Sequence, residues 1–460
     1  NELTGAWVAV PEIATSKGKK SRRAVVAVVV ALAAIPLSET AEAQVIIGSA
    51  DSATNSLTAG SAGRLYQGVL NRMTGFGSIT NYLGSTSGQS PDAVIIGNKN
   101  FAYQGSVVVG YANTAGVNAV DTFAAYVLGV DNSAAGVYDT VIGLQNIASA
   151  SSVVAIGVAS TGSGNTAIVL GRQSTASGNF SIAQGNVAQA TNTGAIALGD
   201  SAFASGNSSI AIGSSAVGTN TLYAASTQAL ASGDFAIALG QSAKATAIHT
   251  IAQGFSATAQ GNDSIAIGTG AVASGNRSIS IGYGNTVSGN NSGAFGDPSI
   301  ILGANSFSVG NNNSIGATQT DVFALGNNIT VTANNSVGLG SNAAMTTALT
   351  SSSGGTTAVT SGTVGTVTYG SFAGSTPVGI VSVGSVGAER RLQNVAAGLI
   401  GINSTDGING SQLYVALSTG QSTIGSLSTS TSTGLSTVNS AVASLSTVTS
   451  TGLSAAGSTV

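Results

Sequence analysis

Residues able to do chemistry are few and far apart. The chain has one histidine, His249, and no cysteine. Without a second imidazole or a thiolate, a His/Cys metal centre and a Cys nucleophile are both excluded. His249 stands in Ala247-Ile-His-Thr-Ile251, a variable stretch, and is expected on the surface. Glu is absent from Ala43 to Ala388, so the acids across the centre are aspartates: Asp92, Asp121, Asp131, Asp139, Asp200, Asp234, Asp263, Asp297 and Asp321. Glycosidic hydrolysis needs two carboxylates about 5–10 Å apart. Asp234 and Asp263, 29 residues apart, come nearest to such a pair. Both are read at one phase of a Gly-containing turn, where capping is the expected role. Calcium-binding Gly-Gly-x-Gly-x-Asp nonapeptides are absent, and Gly282-Tyr-Gly284 lacks a strand–helix context for phosphate. Lys99, Arg172, Lys244 and Arg277 are too scattered for a basic groove, and a net charge of −3 gives no grip on nucleic acid. The reading is no catalytic residue, no metal and no cofactor.

The composition explains this scarcity. Charged residues are 6% of the 460, against about 25% in average domains. The hydrophobic fraction is 43%, with Gly 64 and Pro 5. Few charges with many apolar groups argue against disorder, and so few prolines exclude collagen.

The N-terminus reads as a targeting segment. Lys17, Lys19, Lys20, Arg22 and Arg23 precede an apolar run, Ala24 to Ile35. That run is too short for a membrane span of about 20 residues. Ala41-Glu42-Ala43 then gives an A-x-A site, with cleavage expected between Ala43 and Gln44. Upstream, Thr4-Gly-Ala-Trp-Val-Ala-Val-Pro-Glu12 resembles the extended signal-peptide region of large autotransporters. Residues 1–43 are therefore set apart from the fold.

The centre is a 14-residue repeat. An apolar-x-apolar-Gly phrase ends at Gly157, Gly171, Gly185, Gly199 and Gly213, then at Gly240, Gly254, Gly268 and Gly282. The 27-residue gap between the two series is read as holding one degenerate coil around Leu222-Tyr-Ala224. A Ser-Gly-Asn phrase recurs seven residues out of phase, as at Gly164-Asn165 and Gly275-Asn276. Gly and Asn take positive φ cheaply, so these are read as the turn residues. Each unit is then two short strands and two turns, and stacked units satisfy each other's backbone. Alternation puts Ile, Leu and Val on one face, expected to be buried by stacking. Ala and Gly on the other face would let a neighbouring rod approach. About 17 coils give a rod of roughly 80 Å.

Beyond a Ser/Thr/Gly-rich stretch, expected as a loop or hairpin insertion, runs Gly379-Ile-Val-Ser-Val-Gly-Ser-Val-Gly-Ala-Glu-Arg-Arg-Leu-Gln-Asn-Val-Ala-Ala-Gly398, then Asp406-Gly-Ile-Asn-Gly-Ser-Gln-Leu413. This resembles the neck of YadA-like trimeric autotransporter adhesins. Matching positions are Val381 to Gly384, Glu389, Arg390, Asn394 to Gly398, Asp406, Asn409, Gln412 and Leu413; Arg391, Leu392 and Gly407-Ile408 depart mildly. The resemblance implies a left-handed parallel β-roll head shared by three chains, then a neck and a trimeric α-helical coiled-coil stalk. Neck contacts between chains are expected at Glu389, Arg390, Arg391, Leu392, Asn394, Val395, Asp406, Asn409, Gln412 and Leu413. The helix start is expected to be loosened at Gly407. Apolar positions from Leu413 to Leu453 alternate heptad spacing with 11-residue advances, a coiled-coil seam with stutters.

The expected domains are signal 1–43, head start 44–91, β-roll 92–345, insertion 346–378, neck 379–416 and stalk 417–460. The family's membrane anchor is not seen in this chain, which is expected to be an N-terminal portion. The resemblance implies a cell-surface adhesin, a homotrimer anchored in the outer membrane only through that anchor. Its partners would be matrix, host cells, abiotic surfaces or itself, held by many weak contacts. Two other classes were weighed. A polysaccharide-active β-solenoid enzyme needs clustered acids, which the repeats lack. An ice-binding fibre needs ranks of Thr-x-Thr, where these strands carry Ala and Ile.

Overall fold

The structure, a computed structural model, describes residues 44–47, 65–67, 82–83, 94–102, 105–116, 125–215 and 227–459. The signal segment, Asp92, Asp121 and the stretch Leu222-Tyr-Ala224 lie outside them.

Each coil contributes one longer and one two-residue strand to two parallel sheets. Ile196–Leu198 pairs in register with Ile182–Asn186 before it and Ile210–Ile212 after it. Phe203–Ala204 does the same with Gln189–Ala190 and Leu230–Ala231. The result is a parallel β-solenoid of about 16 turns. Gln44–Ile47 pairs with Leu65–Gln67 and with the first regular rung, Val94–Asn98. Val381–Ser382 forms the last rung, on Val337–Leu339.

Among the described residues, no rung stands between the two sides of the gap in the repeat. Ile210 pairs directly with Ile237, and Phe203 with Leu230. The expected degenerate coil is therefore not in the ladder. In-register pairing likewise bridges longer spacings at Val107↔Tyr126 and Phe307↔Phe323.

The faces are also the reverse of expectation. In Ile196-Ala197-Leu198 it is Ala197 that is fully buried inside the coil, while Ile196 and Leu198 are half-buried on its outside. The core is a column of alanines, including Ala183, Ala197, Ala211, Ala238, Ala252 and Ala266. Two sheets joined by such short turns enclose too little volume for two branched side chains facing each other, and interiors are filled at crystal density. Where one sheet carries a larger residue, the other carries a small one. Val141 and Val169 on one sheet face Ala148 and Ala176 on the other, whereas Ala294 and Ala324 face Ile301 and Val331. At the base, Met345 fills the space opposite Gly338.

The insertion contains an antiparallel hairpin, Ser361–Val364 with Val367–Gly370. Helix α1 spans Gly410–Gly457 and buries none of its residues. It begins within the span read as neck. Among the described residues no helix is long and apolar enough to cross a membrane.

Candidate functional site

The repeat glycines do two different jobs. Gly157, Gly171, Gly185, Gly199, Gly213, Gly240, Gly254, Gly268 and Gly282 close the longer strands with φ between +123° and +150°. A Cβ on Gly171 would also overlap the carbonyl oxygen of Gly185 in the next coil. The Ser-Gly-Asn glycines correct the sequence reading. Gly164 has no positive φ; its missing Cβ makes room for the Gly178 carbonyl. The left-handed residue comes after the Asn, or after Asp234 in one coil, at Thr166, Phe180, Ser208, Phe235 and Arg277, with φ between 51° and 58°. Bulky side chains there cost about 1–2 kcal/mol each.

Buried asparagines were not anticipated. Asn113, Asn132 and Asn146 stand three residues after a strand-ending glycine. Asn132 Nδ2 donates to Asn113 Oδ1 at 3.0 Å and to the Gly143 carbonyl at 2.7 Å. Asn146 Nδ2 repeats this on Asn132 Oδ1 and Gly157. Ser160 and Ser174 take over with one hydroxyl bond each, to Gly171 and Gly185. The signal was the Gly-x-x-Asn spacing. It was hidden because Ser and Ala share the column.

The aspartates serve the turns. Asp234 Oδ1 accepts from the Asn207 backbone N–H at 2.8 Å. Asp263 is one residue out of phase with Asp234, not at the same phase, and its Oδ1 lies 3.0 Å from His249 Nδ1. His249 itself is exposed at a left-handed turn tip. Asp131 accepts from Gln145, Asp297 from the Tyr283 N–H and Asp321 from Asn305. Asp200 accepts from Asn186 at 2.7 Å and Ser215 at 2.9 Å, and Arg172 donates to Asn186. Lys99 Nζ lies 5.2 Å from the Tyr111 ring centre. Lys244 sits in a short strand, and Arg277 donates to Asn291. Among the described residues no three His, Cys, Asp or Glu side chains could hold a metal ion.

Asp139 is the exception in being buried. It occupies the column filled by Ser181 and Ser209 in other coils. Its carboxyl accepts from the Gly136 N–H at 2.7 Å and the Val153 N–H at 2.9 Å. Burial pushes its pKa up to about 6, against the pull of those two bonds. The folded value lies above the unfolded one. The stability this group contributes is therefore full below pH 3.8 and lost as pH rises through about 6. Asp139→Ser should remove that component. The gap in melting temperature, variant minus parent, should widen in the variant's favour from pH 4 to pH 7. A gap constant with pH would refute the assignment.

The neck ties the last coil to the helix. Arg390 donates to the carbonyls of Val383 at 2.6 Å and Ser341 at 2.7 Å, within its own chain. Glu389 accepts from the Gly387 N–H at 2.9 Å, and that bond lowers its pKa. Arg391 and Leu392 are exposed, and Asn394 is left-handed at φ 59°. Asp406 accepts from the Leu399 N–H at 2.9 Å. Asn409 donates to the Val395 carbonyl at 3.1 Å and caps helix α1 in a box with Gln412. Gln412 also grips both the N–H and the carbonyl of Gly398. Gly407 precedes the cap, so it does not enter the helix. Leu413 is the first exposed leucine of the seam.

Helix α1 is rich in Ser and Thr, and many hydroxyls bond back to the carbonyl four residues earlier, as Thr419 does to Val415 and Thr423 to Thr419. Such bonds satisfy the hydroxyls without favouring the helix. Its apolar residues Leu417, Ile424, Leu427 and Leu435 are all exposed in one chain.

These features have counterparts elsewhere. Residues 1–39 match the Extended Signal Peptide of Type V secretion system. The YadA head domain repeat (2 copies) matches over 163–188, 190–216, 227–243, 231–252, 245–271 and 273–297. Among solved structures, the C-terminal YadA-like domain of a Burkholderia pseudomallei protein is 36% identical, over 28% of this chain and 47% of that one. This chain thus spans about half of that protein's length, and at a TM-score of 0.20 the two do not superpose as wholes. No curated protein matches. The signal marks the chain for type V secretion and display at the cell surface. An extended type V secretion signal ahead of in-register YadA head repeats supports a YadA-like trimeric autotransporter adhesin.

Proposed function

We propose that the chain works as a homotrimeric adhesin whose head is held away from the outer membrane by a stalk. The carrying observation is the outward ladder of Ile182, Ile196, Ile210, Ile237, Ile251 and Ile265. It is half-buried in a single chain and runs without a break over these successive rungs. Full burial of such a side chain is worth about 1.5–3 kcal/mol. Three ladders meeting on a common axis would cover one another along the rod. The exposed seam of helix α1 continues the same demand below the neck, since Ser/Thr-rich helices need assembly to persist.

In this reading the signal is cut between Ala43 and Gln44. Residues 44–91 and 92–345 form the head, 346–378 an insertion, 379–416 the neck and 417–460 the start of the stalk. The neck residues Glu389, Arg391, Leu392 and Leu413 face the other chains. Adhesion needs no reaction. Three copies of weak contacts per coil multiply into avidity for matrix, cells or inert surfaces, and for other copies of the spike.

Residues 44–460, purified, should sediment and cross-link as a trimer. Beads coated with it should be retained on at least one of collagen, fibronectin, cultured cells or plastic. A stable monomer retained on none of them would overturn the proposal.

A further inference from the structure

Both turn edges of the head carry left-handed tips, and along each edge there is one per coil, side by side at the ~4.8 Å step of stacked strands. From Phe235 to Arg277 these tips form a continuous strip. The Phe235 and His249 rings lie 5.3 Å apart, tilted by 31°. His249 Nδ1 is 3.0 Å from Asp263 Oδ1, and Arg277 on the next coil donates to Asn291 at 2.6 Å.

The left-handed backbone at these tips disfavours bulky side chains. Ser152 and Ser208 fill the same position in other coils. Phe235 nevertheless stands there with 55% of its surface open, so core packing does not account for it. Strain kept at an open surface points to a role outside the fold.

We infer that this strip binds an extended, neutral polysaccharide, one sugar ring per coil. The inference rests on the adhesin reading and gives it a ligand class. Three features select the partner. The electron-rich faces of Phe235 and His249 receive the C–H-bearing face of a pyranose ring. The next two tips offer a carboxylate acceptor and a guanidinium donor, and a sugar hydroxyl can satisfy either. Asp263 and Arg277 carry opposite charges and Asp234 beside Phe235 adds one carboxylate, so the strip has no pull on polyanions and little on polycations. An extended β-linked pyranose chain also advances by a step close to the ~4.8 Å strand spacing. Successive sugars therefore meet successive tips.

The test is titration calorimetry of residues 44–460 with cellohexaose and with chitohexaose. The parent protein should bind at least one of them. F235S/H249S should weaken that binding at least tenfold. Serine already serves this position on other coils, so circular dichroism and sedimentation should be unchanged. F255S, which removes an exposed aromatic from the opposite edge, should leave the affinity as it was. No binding by the parent, equal binding by the double variant, or binding only of a proline-rich peptide would overturn the inference. Retention of the coated beads separates the two levels. A protein that ignores both saccharides yet still holds a surface loses the strip but keeps the adhesin reading. One that fails both assays loses both.

Discussion

Gly171→Ala should destabilise the head by more than about 4 kcal/mol per chain, a size reached by few single substitutions. Two penalties coincide there: φ is +134°, and the new Cβ would overlap the Gly185 carbonyl. That carbonyl belongs to the neighbouring rung and cannot swing aside without breaking the ladder. Two further variants separate the penalties. At Gly270 φ is +66° and the nearest atom to a Cβ is 4.0 Å away. Gly270→Ala carries the backbone cost alone, about 1–2 kcal/mol. Gly164→Ala carries the overlap alone, since its φ is ordinary and its Cβ would meet the Gly178 carbonyl. The expected order of damage is Gly171, then Gly164, then Gly270. A solenoid is stabilised by nearest-neighbour terms, so one melting curve is not two-state bookkeeping. Hydrogen exchange, read coil by coil, is the sharper measurement. Opening should centre on residues 157–199 for Gly171→Ala. Equal damage from Gly164→Ala and Gly270→Ala would show that close approach of the coils is not what selects glycine.

The same distinction explains what could be read from the residues alone. The 14-residue period is legible because each rung bonds to the next and so forces coils of equal length. The head repeats and the apolar seam of the helix follow from recurring residue types, and the neck was read from its resemblance to the YadA-like pattern. The job of each glycine is not legible, because close approach and positive φ leave the same letter in the sequence. The inside of the coil was misread for a related reason. Alternation such as Ile196-Ala197-Leu198 defines two faces without saying which is enclosed, and hydropathy alone favours the branched one. The enclosed volume decides otherwise. The clue was present in coils that pair Val169 with Ala176 or Ala294 with Ile301, where size on one strand is balanced on the other. The Phe235–His249–Asp263 strip was invisible for another reason. Its members differ in type and share only their place at a turn tip.

If the small face is the inside, two neighbouring residues must respond in opposite ways to one substitution. Ala238 is fully buried between the sheets, and Ile237 beside it is half-buried on the outside. Ala238→Asp places a carboxylate among Ala236, Ala245 and Ala252. With no counter-charge there, the cost is several kcal/mol, and the coil has no volume to spare. The head should lose its β signal in circular dichroism, and the soluble yield should fall. Ile237→Asp leaves every interior contact of the single coil in place, so that signal should persist. Its effect falls on assembly: three carboxylates would be brought together at one level of the proposed axis, where like charges cannot all be solvated. Sedimentation should then show folded monomers or loosened trimers, and bead retention should fall with the loss of avidity. Should Ile237→Asp unfold the head as thoroughly as Ala238→Asp, the outer face would be part of the fold itself. Should it leave trimers intact, the isoleucine ladder would not be what joins the chains, and the seam of helix α1 would have to carry the assembly alone.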